Sequence, residues 1–438
     1  MADLNINLVN AFDGVLNNLI DGDTYKKLPP KGPIDLPSVS DEELNSLDQD
    51  KYGQDEREDF PDKDEFKIKL VETAAIKKVN LPNEDQLDGL SVIGISGDNQ
   101  RILTTSFHFI LSRTSLVNFK YTKGYEKPYF YNRYRNSAAI TLLDNNIFDA
   151  PFRLHCDTSL VESNDSVPIL DSILKNSGKP FLFRYNHERS KKAPNSHSLG
   201  LAVKFQHTLE LAALNDTEFA HNGITICLKD GAMFSNSTQL SDIRNGLRKL
   251  LSWSDKKQIY VAVSTQVSDS RVLINTLCNR EDIIQEYFPD QGITTGIIKS
   301  FGTDTLLLKK ILRPGYRTPL TEYIERTRIG ALVNDDPTIS TGVEGLKPVT
   351  CYYQRRSKPY NFIRLEIPKF MWEENKELTL FAISVAIWQH ELGVTKPLVL
   401  QAAAERCNLK HDKRVIEQQL QAAFDKKNLE LIEFINNG

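Results

Sequence analysis

The sequence predicts an α/β protein built on a mixed sheet flanked by helices. Three observations carry this prediction: continuous apolar runs typical of buried strands, amphipathic helical stretches that alternate with them, and hairpin-like strands early in the body. The chain has 438 residues, of which 40% are hydrophobic and 26% charged. This composition suits one large domain or two smaller ones, and it excludes collagen-like, coiled-coil and wholly disordered chains.

The N-terminal part divides into a helix and an acidic linker. Apolar residues recur at helical spacing between positions 6 and 19, which predicts one amphipathic helix within residues 1–27. Residues 28–65 combine prolines with acids, and positions 35–65 alone hold thirteen acids and three bases. Such a segment buries too little apolar surface to order itself, so it is interpreted as a mobile linker. The helix either packs on its own body or docks on another chain.

The predicted body covers residues 66–438. Strands are expected at 90–96, 101–118, 138–143, 223–228 and 258–264, and helices at 198–214, 240–251, 377–389 and 412–427. Position 97, a glycine, is expected to begin the turn after the first strand. A strand, a helix and a strand between 223 and 264 predict a right-handed parallel crossover.

Cysteine usage and the termini bear on the compartment. The five cysteines lie far apart and include no CxxC pair, which disfavours both a disulfide framework and a zinc ribbon. No signal peptide and no apolar run of membrane-spanning length is visible. We therefore expect a soluble cytoplasmic protein with buried thiols. The total charge of −4 hides a body of +6 beside the acidic segment, and a basic body is compatible with a polyanionic partner.

Three acids form the candidate metal and catalytic site. Asp230 directly follows an apolar strand, where open α/β sheets place ligands, although Asp-Gly is also a common turn pair. Glu210 lies on the helix leading into that strand and could equally be an exposed helical acid. Asp98 is the candidate third acid, two residues beyond Ser96. Converging carboxylates usually hold Mg²⁺ or Mn²⁺, and two such ions can support phosphodiester hydrolysis.

These segments resemble, in chain order, motifs of the NurA family of DNA-end-processing nucleases. The family patterns are a strand with Asp-Gly-Ser, a helix with a metal-binding Glu, a second Asp-Gly, D…LxPGxRS, RxExP and GYPxPL. Their counterparts here are ISGD at 95–98, the helix of Glu210, LKDGAMF at 228–234, GTDT at 302–305 with LRPGYRT at 312–318, RLEIP at 364–368 and GVTKPL at 393–398. The match spans roughly residues 90–407.

The resemblance implies a ribonuclease-H-like fold, Mn²⁺ or Mg²⁺ dependence, a homodimer, and partnership with DNA and a HerA-type hexameric ATPase. It carries Glu210 and Asp230 over as metal ligands and Asp98 as a possible substitute for the first acid. The function expected is DNA end processing or defence against foreign DNA. Two departures leave an alternative open: Ser96 stands where the family has its first Asp, and Ala402 where it has a His. The alternative is a catalytically degraded subunit that serves as a DNA-binding or ATPase-adaptor protein.

A basic, aromatic-rich stretch is the candidate DNA contact. Residues 120–135 (KYTKGYEKPYFYNRYR) mix aromatics with Lys120, Lys123, Arg133 and Arg135, and phosphate neutralisation with base stacking is how single strands are held. The alternative is an ordinary strand pair with solvated tips. Arg317, inside the PGxR match, could clamp a phosphate or form a structural ion pair. For the histidine at position 390 we favour a structural role with satisfied hydrogen bonds over a catalytic one.

Overall fold

The computed structural model describes the chain in separate stretches. They are residues 67–72, 76–103, 107–123, 133–144, 153–154, 156–163, 183–184, 223–233, 258–265, 271–278, 280–288, 292–324 and 348–410, with single positions 206, 210, 213, 414, 417, 418, 421, 422 and 425. The predicted N-terminal helix, the acidic linker and the predicted helix at 240–251 lie outside these residues.

A large mixed sheet organises the described part of the chain. The strands are β1 (Lys67–Leu70), β2 (Lys77–Lys78), β3 (Ser91–Leu103), β4 (Phe107–Lys120), β5 (Arg133–Asp144), β7 (Cys156–Ser163), β9 (Thr225–Asp230), β10 (Gln258–Ser264), β11 (Tyr316–Arg317), β12 (Thr321–Ile324), β13 (Pro348–Gln354) and β14 (Phe362–Pro368). Their main order is β1-β12-β13-β14-β10-β9-β3-β4-β5-β7, with β11 and β2 attached beside β13. Two short strands, β6 (Arg153–Leu154) and β8 (Phe183–Arg184), pair separately. The predicted α/β class with a mixed sheet is confirmed.

The centre of the sheet is parallel. Strand β9 pairs in parallel with β3 on one side and with β10 on the other. The apolar runs that predicted these strands form their buried parts, and parallel strands covered on both faces are expected to read this way. The register sets Ile95 opposite Lys229 and Val263 opposite Asp230. Ser96, midway along β3, is thereby brought next to the carboxyl ends of β9 and β10.

Strand β3 is longer than the sequence predicts, and the turn expected at Gly97 is absent. Gly97 pairs with Thr114 in an antiparallel ladder that runs from Ser91 to Leu103. Pairing with β4 continues through the polar stretch after Gly97, because ladder hydrogen bonds to a neighbouring strand override the local turn preference of Gly-Asp. Residues 101–103 therefore belong to β3 and do not begin the next strand.

Helices cover the sheet and one end of the body. They are α1 (Glu84–Leu87), α2 (Val272–Leu277), α3 (Glu281–Tyr287), α4 (Thr295–Ser300), α5 (Asp304–Ile311), α6 (Lys369–Glu374), α7 (Lys376–Leu392) and α8 (Leu398–Cys407). The predicted helix at 377–389 lies within α7, which begins at the Asn375 cap and ends at Gly393. Residues 206, 210 and 213 are helical, within the predicted helix at 198–214.

Helix α8 packs unusually close to β3. A Cβ placed on Gly94 would lie 2.6 Å from the Val399 carbonyl oxygen, which is a backbone atom of α8. A side chain at position 94 would therefore push the helix off the strand. This contact defines one face of the sheet, the α8 face, which Ser96 and Asp98 share with Gly94 because side chains in a strand alternate.

Two apolar cores hold these elements. The larger lies between the central strands and helices α6, α7 and α8, and the smaller lies among α2, α3, α4 and α5. The four cysteines whose side chains are described, Cys227, Cys278, Cys351 and Cys407, are buried free thiols, as predicted. Among the helices described, none combines the length and apolar character needed to span a membrane.

Candidate functional site

The parallel pairing of β3 and β9 brings Ser96, midway along β3, next to Asp230 at the end of β9. The Ser96 hydroxyl donates a hydrogen bond to Asp230 Oδ2 at 2.9 Å. Ser96 is buried, whereas the Asp230 side chain keeps 18% of its surface exposed. The pair lies on the α8 face, and of its two side chains only that of Asp230 reaches solvent. A carboxylate at the end of a central strand matches the position predicted from the sequence.

A lysine from the segment between α7 and α8 completes this pair. Lys396 Nζ lies 2.5 Å from Asp230 Oδ2, and its side chain is 31% exposed. The segment folds back tightly after α7, since a Cβ on Gly393 would lie 1.8 Å from the Lys396 carbonyl oxygen. The Asp230 carboxylate therefore accepts from one hydroxyl and one ammonium group. We refer to Ser96, Asp230 and Lys396 as the serine–aspartate–lysine site.

Glu210 lies on the opposite face of the sheet and has its own lysine. Lys229 Nζ is 2.8 Å from Glu210 Oε2, and the two side chains are 2% and 4% exposed. The same ammonium donates to the Asp230 carbonyl oxygen at 2.8 Å, and Gln206 donates to Glu210 Oε1 at 2.9 Å. Lys229 follows the strand alternation, so its side chain points away from that of Asp230. The pair is a closed, fully hydrogen-bonded ion pair beneath the strand ends.

Gly97 allows Glu210 to approach the strand. A Cβ at position 97 would lie 2.7 Å from Glu210 Oε1 and 2.7 Å from Gln206 Cγ. Gln206 also donates to the Gly97 carbonyl oxygen at 2.9 Å. Only a residue without a side chain leaves room for this contact. The glycine that the sequence assigned to a turn thus serves as the contact point between strand and helix.

Asp98 points to the α8 face, as the spacing from Ser96 predicts, but both its oxygens are engaged by the backbone. Oδ1 accepts from the Asn99 N–H at 2.9 Å, and Oδ2 accepts from the Leu409 N–H at 2.8 Å. Asp98 therefore anchors the chain just beyond α8. The Cys407 thiol lies nearby, and burial, with the negative charge of Asp98, raises its pKa to about 12. This thiol stays protonated at neutral pH.

The three predicted acids do not form a single carboxylate cluster. Across the described stretches, no group of three or more His, Cys, Asp or Glu side chains is arranged to hold a metal ion. Asp98 binds backbone N–H groups, Glu210 binds Lys229, and Asp230 binds Ser96 and Lys396. Hard divalent cations need several oxygen ligands that are not already neutralised. As placed, these residues do not fit a resident Mn²⁺ or Mg²⁺, and dependence on either metal stays a prediction.

The predicted DNA contacts are placed only in part. Lys120 is exposed at the end of β4, and Lys123 is exposed and paired with Asp85. Arg133 and Arg135 belong to β5, but their side chains, like residues 124–132, lie outside what the structure describes. These residues stay predicted DNA contacts.

Arg317 forms a buried ion pair, which is one of the two roles that the sequence left open for it. Its guanidinium binds Glu72 through two hydrogen bonds, NH1 to Oε1 at 2.5 Å and NH2 to Oε2 at 3.2 Å. Glu72 Oε1 also accepts from the Leu320 N–H at 2.8 Å. Both side chains are almost fully buried, at 7% and 8% exposure. The planar fork of Arg317 is engaged inside the protein.

Two other acids from the matched motifs hold backbone in place. Asp304 is fully buried and accepts from the Leu273 and Ile274 N–H groups at 3.0 and 2.9 Å, which caps the first turn of α2. Glu366 accepts from the Met233 N–H at 2.7 Å and thereby holds the turn that follows Asp230. Both carboxylates perform the work of helix and turn caps.

Sequence reasoning missed the two lysines. Lys229 was visible as a basic residue at the end of an apolar strand, directly before Asp230. A buried lysine needs a carboxylate partner, so its presence there already indicated that one nearby acid was taken. Lys396 gave no comparable signal, because its contact with Asp230 joins residues 166 positions apart.

His390 is fully buried on α7, and neither ring nitrogen has a hydrogen-bond partner within the described residues. Burial, with the charge of Arg355, lowers its pKa to about 4. The ring is therefore neutral at physiological pH, and no part of the residue is exposed to solvent. This placement agrees with a structural role, although the expected hydrogen-bond partners are missing.

Comparison with known proteins gives structural likenesses alone. No protein-family model matches the sequence, and no curated protein matches it. Among solved structures, the NurA nuclease from Sulfolobus solfataricus is 10% identical, with a TM-score of 0.38, covering 88% of this chain and 95% of the other. NurA with manganese gives a TM-score of 0.31 at 10% identity over 79% and 91% of the two chains. NurA bound to dAMP and manganese gives 0.25 at 10% identity over 76% and 87%. Similarity at this level does not establish a family for the chain.

Proposed function

We propose that this chain is a NurA-like subunit that binds DNA without cleaving it, within an assembly driven by a HerA-type ATPase. The observation that carries the proposal is the pairing of Asp230 with the Ser96 hydroxyl and the Lys396 ammonium. A two-metal nuclease needs carboxylates at such a position, because they bring the cations that activate water and stabilise the leaving oxygen. A hydroxyl and an ammonium supply neither function.

Charge around the strand ends supports the same conclusion. Glu210 and Asp230 each have one lysine partner, so these four side chains sum to zero. A neutral set of groups offers little attraction to a divalent ion. An ion bound to the Glu210 carboxylate would also have to displace the Lys229 ammonium. Lys229 is almost fully buried and makes further hydrogen bonds to backbone carbonyl oxygens.

The proposed partners are DNA, a HerA-type ATPase and a second copy of the chain. They are proposed because the order of the sequence motifs resembles that of the NurA family. The exposed Lys120 and Lys123 support a DNA contact, because lysines at the end of a strand can neutralise phosphates. Asp85 already pairs with Lys123, and such exposed pairs are weak, so a phosphate can compete for the ammonium.

The rival function is an active, metal-dependent DNA nuclease. A specific observation favours it: Glu210 on its helix and Asp230 at the end of β9 both contact the Lys229 ammonium, Asp230 through its carbonyl oxygen. Activity would require both ammonium groups to withdraw and the two carboxylates, now on opposite faces, to share their ions.

A cleavage assay decides between the two functions. The full chain is incubated with Mn²⁺ and a labelled linear duplex, alone and with a HerA-type ATPase. We expect no cleavage above that of the Asp230→Ala variant, which serves as the matched background. Metal-dependent cleavage that disappears in Asp230→Ala would overturn the proposal and establish the nuclease.

DNA binding is measured in parallel by fluorescence anisotropy. Lys120→Glu with Lys123→Glu should weaken binding by about tenfold or more at low salt and reduce its salt dependence, since two phosphate contacts are lost. Lys309→Glu with Lys310→Glu on α5 is the control, because these lysines are also exposed and lie outside the predicted DNA contact. Equal losses in both double variants would indicate a general charge effect and contradict the assigned surface.

A further inference from the structure

We propose that the outward side of α7 is a docking surface, and that its occupant is the amphipathic helix predicted within residues 1–27 of the same chain. The sequence left open whether that helix packs on its own body or on another chain. The proposal concerns packing within one chain, so it does not depend on whether the chain cleaves DNA.

Helix α7 lacks the charged outward side that a surface helix usually has. From Leu378 to Gln389 its sequence includes no ionisable side chain. One side of the helix is buried in the larger core. Five positions that keep contact with solvent recur at helical spacing on the other side, and we call them the α7 outer face: Leu380, Phe381, Ser384, Trp388 and Leu392. An apolar outward side indicates that a further element covers the helix.

The α7 outer face has the apolar surface and the length to bind a helix. Leu380 and Leu392, at its two ends, are 37% and 46% exposed, and Val394 just beyond α7 is 60% exposed. Its one polar member, Ser384, donates its hydroxyl to the Phe381 carbonyl oxygen at 2.7 Å. Because this bond is made within the helix, covering the face leaves the hydroxyl proton satisfied. From the first leucine to the last the face is about 18 Å long.

The predicted N-terminal helix has an apolar side of matching length. Four apolar residues recur every three or four positions and would share one side of that helix: Leu8, Phe12, Val15 and Leu19. The first and last of them would lie about 17 Å apart. The acids of the same segment would lie on the other side: Asp3, Asp13 and Asp21. Docking on α7 would therefore bury the apolar side and leave the acids in solvent.

The chain enters the sheet at the end where α7 begins. Lys67, the first residue of β1, pairs with Ile324 at the end of β12, and β12 lies against the beginning of β13. Pro348 at that beginning pairs with Pro368, which directly precedes α6, and α7 follows. Neighbouring strands are about 4.8 Å apart, so β1 and β14 are separated by about 15 Å. A flexible chain as long as the linker predicted at 28–65 has an end-to-end distance on the order of 35 Å, which is enough to reach α7.

A second copy of the chain fits the α7 outer face less well. Glu377 and Glu391 flank the face at its two ends. If two α7 helices packed antiparallel about a two-fold axis, the glutamate at one end of each helix would approach the glutamate at the opposite end of the other. Such like-charge contacts oppose binding. The predicted N-terminal helix carries no acid on its apolar side and so avoids them.

Disulfide trapping in the full chain tests the contact. Val15→Cys combined with Ser384→Cys should form a disulfide within one chain, because both positions lie near the middle of their faces and meet in either helix direction. The control is Val15→Cys with Ser300→Cys, since Ser300 is exposed on α4. We expect the first pair to close at least about tenfold faster under mild oxidation, because docking raises the effective concentration of the two thiols. The product is identified as a monomer on a non-reducing gel and by peptide mass, with each single variant as the background for the native cysteines.

Limited proteolysis gives a second measurement that needs no added cysteines. A protease that cuts at large apolar residues should cleave within residues 1–27 about tenfold faster in Leu380→Lys with Leu392→Lys than in the wild type, since buried ammonium groups oppose docking. The control is Ile297→Lys with Leu306→Lys, because these side chains are 40% and 48% exposed on α4 and α5. All four side chains are exposed, so both double variants should keep the urea midpoint of the wild type. Loss of docking is thereby separated from loss of folding.

Three results would overturn the docking. The first is an equal rate of disulfide formation for the two cysteine pairs, and the second is a disulfide that joins two chains, which would make a second copy the occupant. The third is equal cleavage of the wild type and both lysine variants, including protection that appears only when a HerA-type ATPase is added. Failure of the proposed function is seen separately, as metal-dependent cleavage of DNA by the wild-type chain.

Discussion

The buried pair of Glu72 and Arg317 tests whether an arginine of the matched motifs stabilises the fold or contacts DNA. Glu72 receives two hydrogen bonds from Arg317, one from the Leu320 N–H and one from Lys77. Substituting glutamine for Glu72 keeps the shape but removes the charge, and it leaves a guanidinium buried at 7% exposure without its counterion. Breaking such a buried pair costs about 3–5 kcal/mol.

We therefore expect Glu72→Gln to lower the free energy of unfolding by about 3 kcal/mol or more, measured from urea denaturation at neutral pH. The control is Glu373→Gln, since Glu373 is 59% exposed and lies 3.8 Å from Lys369. A surface pair of this kind contributes about 0–1 kcal/mol, so its loss should hardly move the urea midpoint.

The effect should also depend on pH. Burial alone would raise the pKa of Glu72, but the hydrogen bonds and charge of Arg317, with those of Lys77 and the Leu320 N–H, outweigh it and lower the pKa. A carboxyl group with a lowered pKa stabilises the fold above its unfolded-state value of 4.5, and this contribution is lost as the pH falls through the folded-state value. The wild type should thus approach Glu72→Gln in acid.

The structural role would be refuted if Glu72→Gln were no more destabilising than Glu373→Gln. It would also be refuted if Arg317→Ala left stability unchanged while weakening DNA binding, because the guanidinium would then be free to reach a phosphate. If the pair is structural, Glu72→Gln and Arg317→Ala should destabilise in a non-additive way, since each removes the same interaction.

Two further predictions concern buried titratable groups. Because the pKa of His390 is lowered from 6.5 to about 4, the unfolded chain binds a proton that the folded chain does not, so stability should fall by about 3 kcal/mol as the pH drops from 6.5 to 4. His390→Leu should remove this part of the pH dependence, and an unchanged urea-midpoint profile in that variant would contradict the assignment. Asp304→Asn should cost about 1–3 kcal/mol in urea denaturation, since one acceptor of the α2 cap is replaced by a donor facing an N–H group. The exposed Asp85→Asn is its control, and equal midpoints for the two variants would exclude the cap.

The central strands were predictable because their signal is local. Residues 90–96, 223–228 and 258–264 are mainly apolar, and they include most of the buried residues of β3, β9 and β10. The extension of β3 beyond Gly97 was not predictable, because the segment after Gly97 is polar and reads as a turn. It is a strand only because β4 supplies hydrogen bonds along its whole length.

Strands β12, β13 and β14 were not among the predicted strands, for a related reason. They are short, and the sheet joins β12 to β1 and β14 to β10, which are strands far away in the chain. The sequence motifs drew attention to Arg317, Asp304 and Glu366 as parts of a chemical site. A motif records residue type and order, but not the partner, and each of these side chains binds backbone or a buried counterion.

At the candidate site, too, the sequence does not reveal which side chains pair with one another, and there the pairing decides the function. Strand alternation alone separates Lys229 from Asp230, so the lysine and the aspartate that are adjacent in sequence serve opposite faces of the sheet. Glu210 then meets Lys229, and Asp230 meets Lys396. A metal ion binds in proportion to its concentration, whereas a lysine tethered by the fold is present whenever the chain is folded. If these ammonium groups are the counterions of the site, its occupancy follows folding and not the metal content of the cell, and chelators should leave both stability and DNA binding unchanged.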